Sequence, residues 1–187
     1  MRQAARSTGI GLLFAALLLP QSGFGAEFIV RSVATELKDD VYQLNARIDY
    51  TFSEEAQRAL QSGIPLIILM DIQVDKQRSW WWNKEVAHLQ QGYLLIYHAL
   101  TKKYIINNLN SGAQQNHKSF TAALQTLGQI TGLPLIDKGL IEADARYQIH
   151  LRVYLDIESL PAPMRPLAWL SSDWRLSSDW YTWPLQP

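Results

Sequence analysis

Two stretches of this chain alternate apolar and polar side chains for a dozen residues each, and that alone commits much of it to half-buried β-strand. In VYQLNARIDYTF, Tyr42, Leu44, Ala46, Ile48, Tyr50 and Phe52 alternate with Gln43, Asn45, Arg47, Asp49 and Thr51. In RYQIHLRVYLDI, Tyr147, Ile149, Leu151, Val153, Leu155 and Ile157 alternate with Gln148, His150, Arg152, Tyr154 and Asp156. Side chains of an extended chain point to opposite faces in turn, so a strict period of two means one face in the core and one in water. The even positions of the first stretch and the odd positions of the second therefore face a common core, the pattern of antiparallel sheets.

The segments between them extend this reading. FIVRSVATEL precedes the first alternating strand, and Lys38, Asp39 and Asp40 supply the polar turn of a hairpin. LIILMDIQV, after Pro65, points Leu66, Ile68, Met70, Ile72 and Val74 one way and predicts a third strand. YLLIYHAL and YIINNL, split by Thr101, Lys102 and Lys103, form a further hairpin. Helices start where serine can cap them. Ser53 precedes Glu54 and Glu55, which suit the positive end of a helix dipole, and Gly63 stops that helix; Ser119 precedes Phe120, Ala123, Leu124 and Leu127 at helical spacing, with Gly128 near the end. Pro161, Pro163 and Pro166 in LPAPMRP predict an extended connector. The fold class is β-rich α+β, mainly antiparallel strands with two short helices, for which a sandwich with helices in its connections is a natural arrangement.

The N-terminus predicts the compartment. Arg2 and Arg6 precede an uncharged, mostly apolar run from Gly9 to Leu19, closed by Pro20 and followed by small residues. That is the plan of a cleavable secretory signal peptide spanning 1–26, with cleavage after Gly25 or Ala26, and it is far short of the ~20 apolar residues that span a bilayer. The expected product is a single exported domain, 27–187, periplasmic and without a stable membrane anchor. The chain has no cysteine, which excludes disulfides, thiol catalysis and thiolate metal sites. Removing Arg2 and Arg6 with the leader leaves 15 basic against 17 acidic residues. A balance so close to neutral argues against nucleic acid and against anionic membrane surfaces as partners.

The words ALQSGIPL, WWWNKEVAHL, YHALTKKY, SFTAALQTLG, RVYLDIESLPAPMRP and WRLSSDWYTWPL, in that order, resemble an uncharacterised proteobacterial family known as domain of unknown function 4390. The resemblance covers nearly the whole exported region and implies a signal peptide followed by one domain. It implies no activity and no catalytic residue. Its genomic setting, often beside genes for an rRNA methyltransferase and a membrane sensor histidine kinase, is associational and points to an envelope partner at most.

Two aromatic clusters are candidate binding sites. Trp80, Trp81 and Trp82 stand between Arg78 and Lys84 where the third strand must turn. Tryptophan is most often a large core residue, but three in a row cannot all point to one core, and exposed indoles beside cations stack on sugars or anchor protein partners. The second cluster is the repeat SSDWRLSSDWYTW. Read as extended chain, it puts Trp174, Leu176 and Trp180 on one face and Arg175, Asp179, Tyr181 and Trp183 on the other, with each Ser-Ser-Asp serving as turn chemistry. This tail reads first as a structural staple and second as a ligand platform, so the contact surface is assigned to the triple tryptophan ahead of it.

Catalytic chemistry finds little support. His88, His98, His117 and His150 are dispersed, outside any metal-ligand spacing, and no nucleophile elbow or SxxK motif occurs. Asp156 and Glu158 are the best acid pair on offer. No metal or cofactor is expected. The expected function is a non-catalytic binding or accessory module of the bacterial cell envelope, partnering an envelope protein such as a membrane sensor kinase. A peptidoglycan- or glycan-binding or glycan-cleaving protein is the alternative.

Overall fold

The alternation translates directly into pairing in the computed structural model, which describes residues 27–78, 80 and 82–185; the proposed signal peptide lies outside them. Strands β1 (Phe28–Lys38) and β2 (Val41–Tyr50) form the first hairpin. Its two-residue turn, Asp39 and Asp40, has positive φ at both positions, 50° and 60°. That is the mirror-image turn whose twist matches a β-hairpin, and aspartate tolerates it better than most residues. Every even-numbered residue from Tyr42 to Phe52 is buried.

Helix α1 (Glu54–Gln61) follows, its Ser53 hydroxyl accepting from the Ala56 amide at 3.1 Å. Then come β3 (Leu66–Lys76), β4 (Lys84–His98), β5 (Lys103–Asn108) and β6 (Gln114–His117). Helix α2 (Phe120–Leu127) is capped by Ser119 and leads into β7 (Gln129–Asp137). The last elements are β8 (Tyr147–Leu155), α3 (Arg165–Leu170) and β9 (Tyr181–Leu185). Two antiparallel sheets result: β1-β2-β7, and β6-β5-β4-β3-β8-β9.

In the larger sheet, β3 and β8 align Ile68 with Leu155, Met70 with Val153, Ile72 with Leu151 and Val74 with Ile149, and all eight side chains are buried. They join Tyr42, Leu44 and Ile48 of the smaller sheet, and Ala56, Leu60, Ala123 and Leu127 of the helices, in one hydrophobic cluster. The fold is the β-rich α+β class that the alternation predicts.

Two local expectations need correction, and a strand is added to those the sequence pattern predicts. The proline-rich connector is not extended throughout: α3 forms with Pro166 in its first turn, where the missing amide hydrogen costs nothing. Residues 129–137 form β7, with Pro134 tolerated because β7 is an edge strand. The tail does not keep one alternation. Ser177 pairs with Tyr154 and Tyr181 with Leu151, so three tail residues (Ser178, Asp179 and Trp180) oppose two on β8 (Arg152 and Val153). This one-residue bulge reverses the facing of everything after it.

Candidate functional site

β3 and β4 stay paired from Leu66 and Leu95 out to Lys76 and Lys84, with one irregularity at Val74/Asp75. Only beyond Lys76 does the chain leave the ladder, for a seven-residue loop, 77–83, that carries the tryptophan cluster. Trp80 is 91% exposed and Trp82 94%. Arg78, Asn83 and Lys84 are exposed as well. Trp81, the third member of the cluster, lies outside the described residues. Large aromatics normally bury most of their surface in a fold of this size, so two indoles with almost all of theirs in water are an exception.

The neck of this loop is fixed. The Gln77 amide donates to the Arg146 carbonyl at 2.8 Å, and the Lys76 ammonium donates to the Glu142 carboxylate. That hydrogen bond raises the Lys76 pKa, outweighing partial desolvation that acts the other way. Lys76, Gln77, Arg78 and Asn83 on one side, and Glu142, Asp144, Ala145 and Arg146 on the other, line an open, polar cleft of about 720 Å³. Sequence reading misses this cleft because Glu142 and Lys76 are distant in the chain and neither belongs to a motif.

The tail divides its candidate residues. Trp174 and Leu176 are buried, 2% and 1% exposed, and act as the staple. The first Ser-Ser-Asp caps a short turn at Ser172–Trp174, with the Asp173 amide donating to the Ser171 hydroxyl. The second is not a turn but a strand contact, in which the Ser178 hydroxyl accepts from the Val153 amide at 3.0 Å. After the bulge, Tyr181 and Trp183 are half-buried, their ring centroids 6.1 Å apart, and Trp183 packs against the core. Trp180 is 43% exposed, on the bulge. Arg175 is held to α3 through the Trp169 carbonyl at 3.0 Å, and Asp179 is exposed. Of this second candidate patch, Asp179 and Tyr181 line one shallow pocket with Phe28 and Val30, and Tyr181 neighbours Trp183, whereas Arg175 is tied to α3.

The remaining candidates have local duties. Asp156 accepts from the Glu158 amide at 3.1 Å and so caps a turn. His98 bonds the Thr101 hydroxyl at 2.9 Å across the β4–β5 turn. His150 lies between Thr182, 2.9 Å from one ring nitrogen, and Asp75, 3.6 Å from the other. Among the described residues, no group of three or more histidines and carboxylates is placed to hold a metal. A second apolar surface is one that sequence reading overlooks. Leu167, Trp169 and Leu170 of α3 are exposed, hidden in the sequence behind three prolines that read as connector.

Compared with known proteins, the chain matches the sequence profile of one family, described as Domain of unknown function (DUF4390), over residues 25–184. No curated protein and no solved structure matches it.

Proposed function

From a chain that belongs to the DUF4390 family, a family whose description assigns no activity, we propose an exported, non-catalytic binding or accessory module of the bacterial cell envelope. The β3–β4 loop is its contact surface. One observation carries this reading: Trp80 and Trp82 stand almost wholly in water on a loop whose neck is tied down by Lys76, Gln77, Glu142 and Arg146. Exposing two indoles gains nothing for folding, whereas binding energy concentrates in aromatic and arginine anchors of this kind. Arg78 and Lys84 add cations that attract anionic groups or stack on aromatic ones. Export follows from the leader-like residues 1–26 and places the partner among envelope components, such as the extracytoplasmic region of a membrane sensor kinase.

Glycan binding is the second reading. It is favoured by the polar cleft beside the tryptophans, which holds the carboxylates of Glu142 and Asp144. It ranks second because Glu142 is already engaged by Lys76, which leaves Asp144 as the one free acid among the described residues lining that cleft, where glycosidic cleavage needs two.

The test is capture from detergent-solubilised envelope extract by the processed chain and by a Trp80→Ala/Trp82→Ala variant. The two should melt alike, since neither indole contributes to the core, and the variant should lose the retained component, with binding weakened by about 2 kcal/mol or more. A variant that melts well below the wild type would make the loop structural. Retention unaffected by the substitution would move the contact surface elsewhere. Cleavage of purified peptidoglycan by the processed chain would overturn the non-catalytic reading.

A further inference from the structure

We propose that the β3–β4 loop docks reversibly on a phospholipid bilayer, with Trp80 and Trp82 seated at the boundary between headgroups and acyl chains. This rests on the reading of the loop as the contact surface and names what it contacts. The shape of the loop is the first argument. Two side chains that are 91% and 94% exposed occupy no groove and are sheltered by no neighbouring wall. Such a site is convex and suits a soft, deformable surface, whereas a sugar or a peptide is usually held by concave sites.

Chemistry is the second argument. Indole is amphipathic, with a large apolar body and one N–H donor, and it concentrates at membrane–water interfaces for that reason. Arg78 and Lys84 flank the indoles on the neck side, where their long stems can lie along apolar surface while the charged ends reach phosphate. No acidic residue occurs between Gln77 and Lys84.

Reach is the third. The seven-residue loop can carry its tip at most roughly 10 Å beyond the last ladder pair, at ~3.3 Å per residue. That matches the ~5–10 Å to which interfacial segments bury their apolar face. Glu142 and Asp144, on the shoulder beside the neck, then stay in the aqueous layer, where their charge is little penalised. The near-neutral charge of the exported chain argues against adsorption by charge alone; here the indoles supply most of the affinity, and the two cations add a mild preference for anionic lipid. Because β3 lies inside the six-stranded sheet, paired on both sides, the loop is presented on a rigid mount.

Cosedimentation with phosphatidylcholine vesicles, and with vesicles that also contain phosphatidylglycerol, tests this directly. The wild-type chain should sediment with both, more strongly with the anionic mixture. Trp80→Ala/Trp82→Ala should lose at least about tenfold in partitioning, the change that ~1.4 kcal/mol produces. Arg78→Gln/Lys84→Gln should lose only the preference for anionic vesicles. The wild type and its variants share the same N-terminus, so any contribution from it cancels. Equal partitioning of wild type and tryptophan variant, or no binding to either vesicle, overturns the membrane assignment. If vesicles fail while an envelope protein is still captured from detergent extract in a Trp80- and Trp82-dependent way, the contact surface stands and its ligand is a protein. If both fail, the contact surface falls as well.

Discussion

The ring of Tyr50 is buried where β2 ends, edge-on to Phe28 at 4.9 Å between centroids, yet its hydroxyl finds no hydrogen-bond partner among the described residues. An unsatisfied buried hydroxyl costs roughly 1–3 kcal/mol, and phenylalanine would keep the ring packing. Tyr50→Phe should therefore leave stability at neutral pH unchanged or raise it by about 1 kcal/mol, as urea titration would show. Burial, with a smaller contribution from Tyr93, pushes the Tyr50 hydroxyl far above its ordinary range. The folded protein then keeps this proton where the unfolded chain releases it, so wild-type stability falls as pH rises past ~10, and Tyr50→Phe should flatten that fall. An advantage of wild type over the variant at high pH would contradict the burial of this hydroxyl. The same residue scale separates the tryptophans: Trp174 and Trp80 are the same residue type, but Trp174 closes a short turn packed into the core, whereas Trp80 stands beyond the last β3–β4 pair.

Elements differ in how far they can be read from sequence, and Gly128 shows why. It reads as a helix stop, but its φ of −79° needs no glycine. What requires glycine is proximity: a Cβ there would sit 2.1 Å from the Ile48 carbonyl oxygen, at the point where the Ile48 amide donates to Gly128 at 2.9 Å. Gly128→Ala should thus force α2 away from β2 and cost roughly 1–3 kcal/mol, measurable as a lowered melting temperature with near-native circular dichroism. A melting temperature equal to wild type would mean that this contact gives way freely. Strands β2, β3 and β8 are legible because each buries one face, which writes an alternation into the sequence. β6 is not: Gln114–His117 is an edge strand with mostly exposed side chains and leaves no apolar signature. The outer half of β4 is hidden for the same reason, since Lys84, Glu85, His88 and Gln90 are exposed. The candidate site follows the same logic. Its tryptophans are conspicuous in the sequence, whereas the Glu142 and Arg146 contacts that hold its neck are long-range and unwritten in any local pattern.

At the scale of the whole molecule, both sheets and both capped helices feed one hydrophobic cluster, so the domain should fold and unfold as a unit. Leu151 tests this from the centre of the larger sheet. It is fully buried, aligned with Ile72 on β3, and its neighbour across the other edge is Tyr181 of β9. Leu151→Asp would place a carboxylate among apolar side chains with nothing to pair it, a change that costs more than about 4 kcal/mol, against a total stability of roughly 5–15 kcal/mol for a domain. The variant should lose its cooperative thermal transition. Amides of the smaller sheet, such as Leu44 and Ala46, should lose hydrogen-exchange protection together with those of β3 and β8, although no part of the smaller sheet carries the substitution. Protection retained in β1 and β2 alone would show that the sheets are separable units, and wild-type melting would show that the odd-numbered face of β8 is not the core face. Trp80 and Trp82 stand outside this accounting: both are exposed and neither belongs to the shared core, so substituting them can change binding while the transition that Leu151→Asp abolishes stays intact.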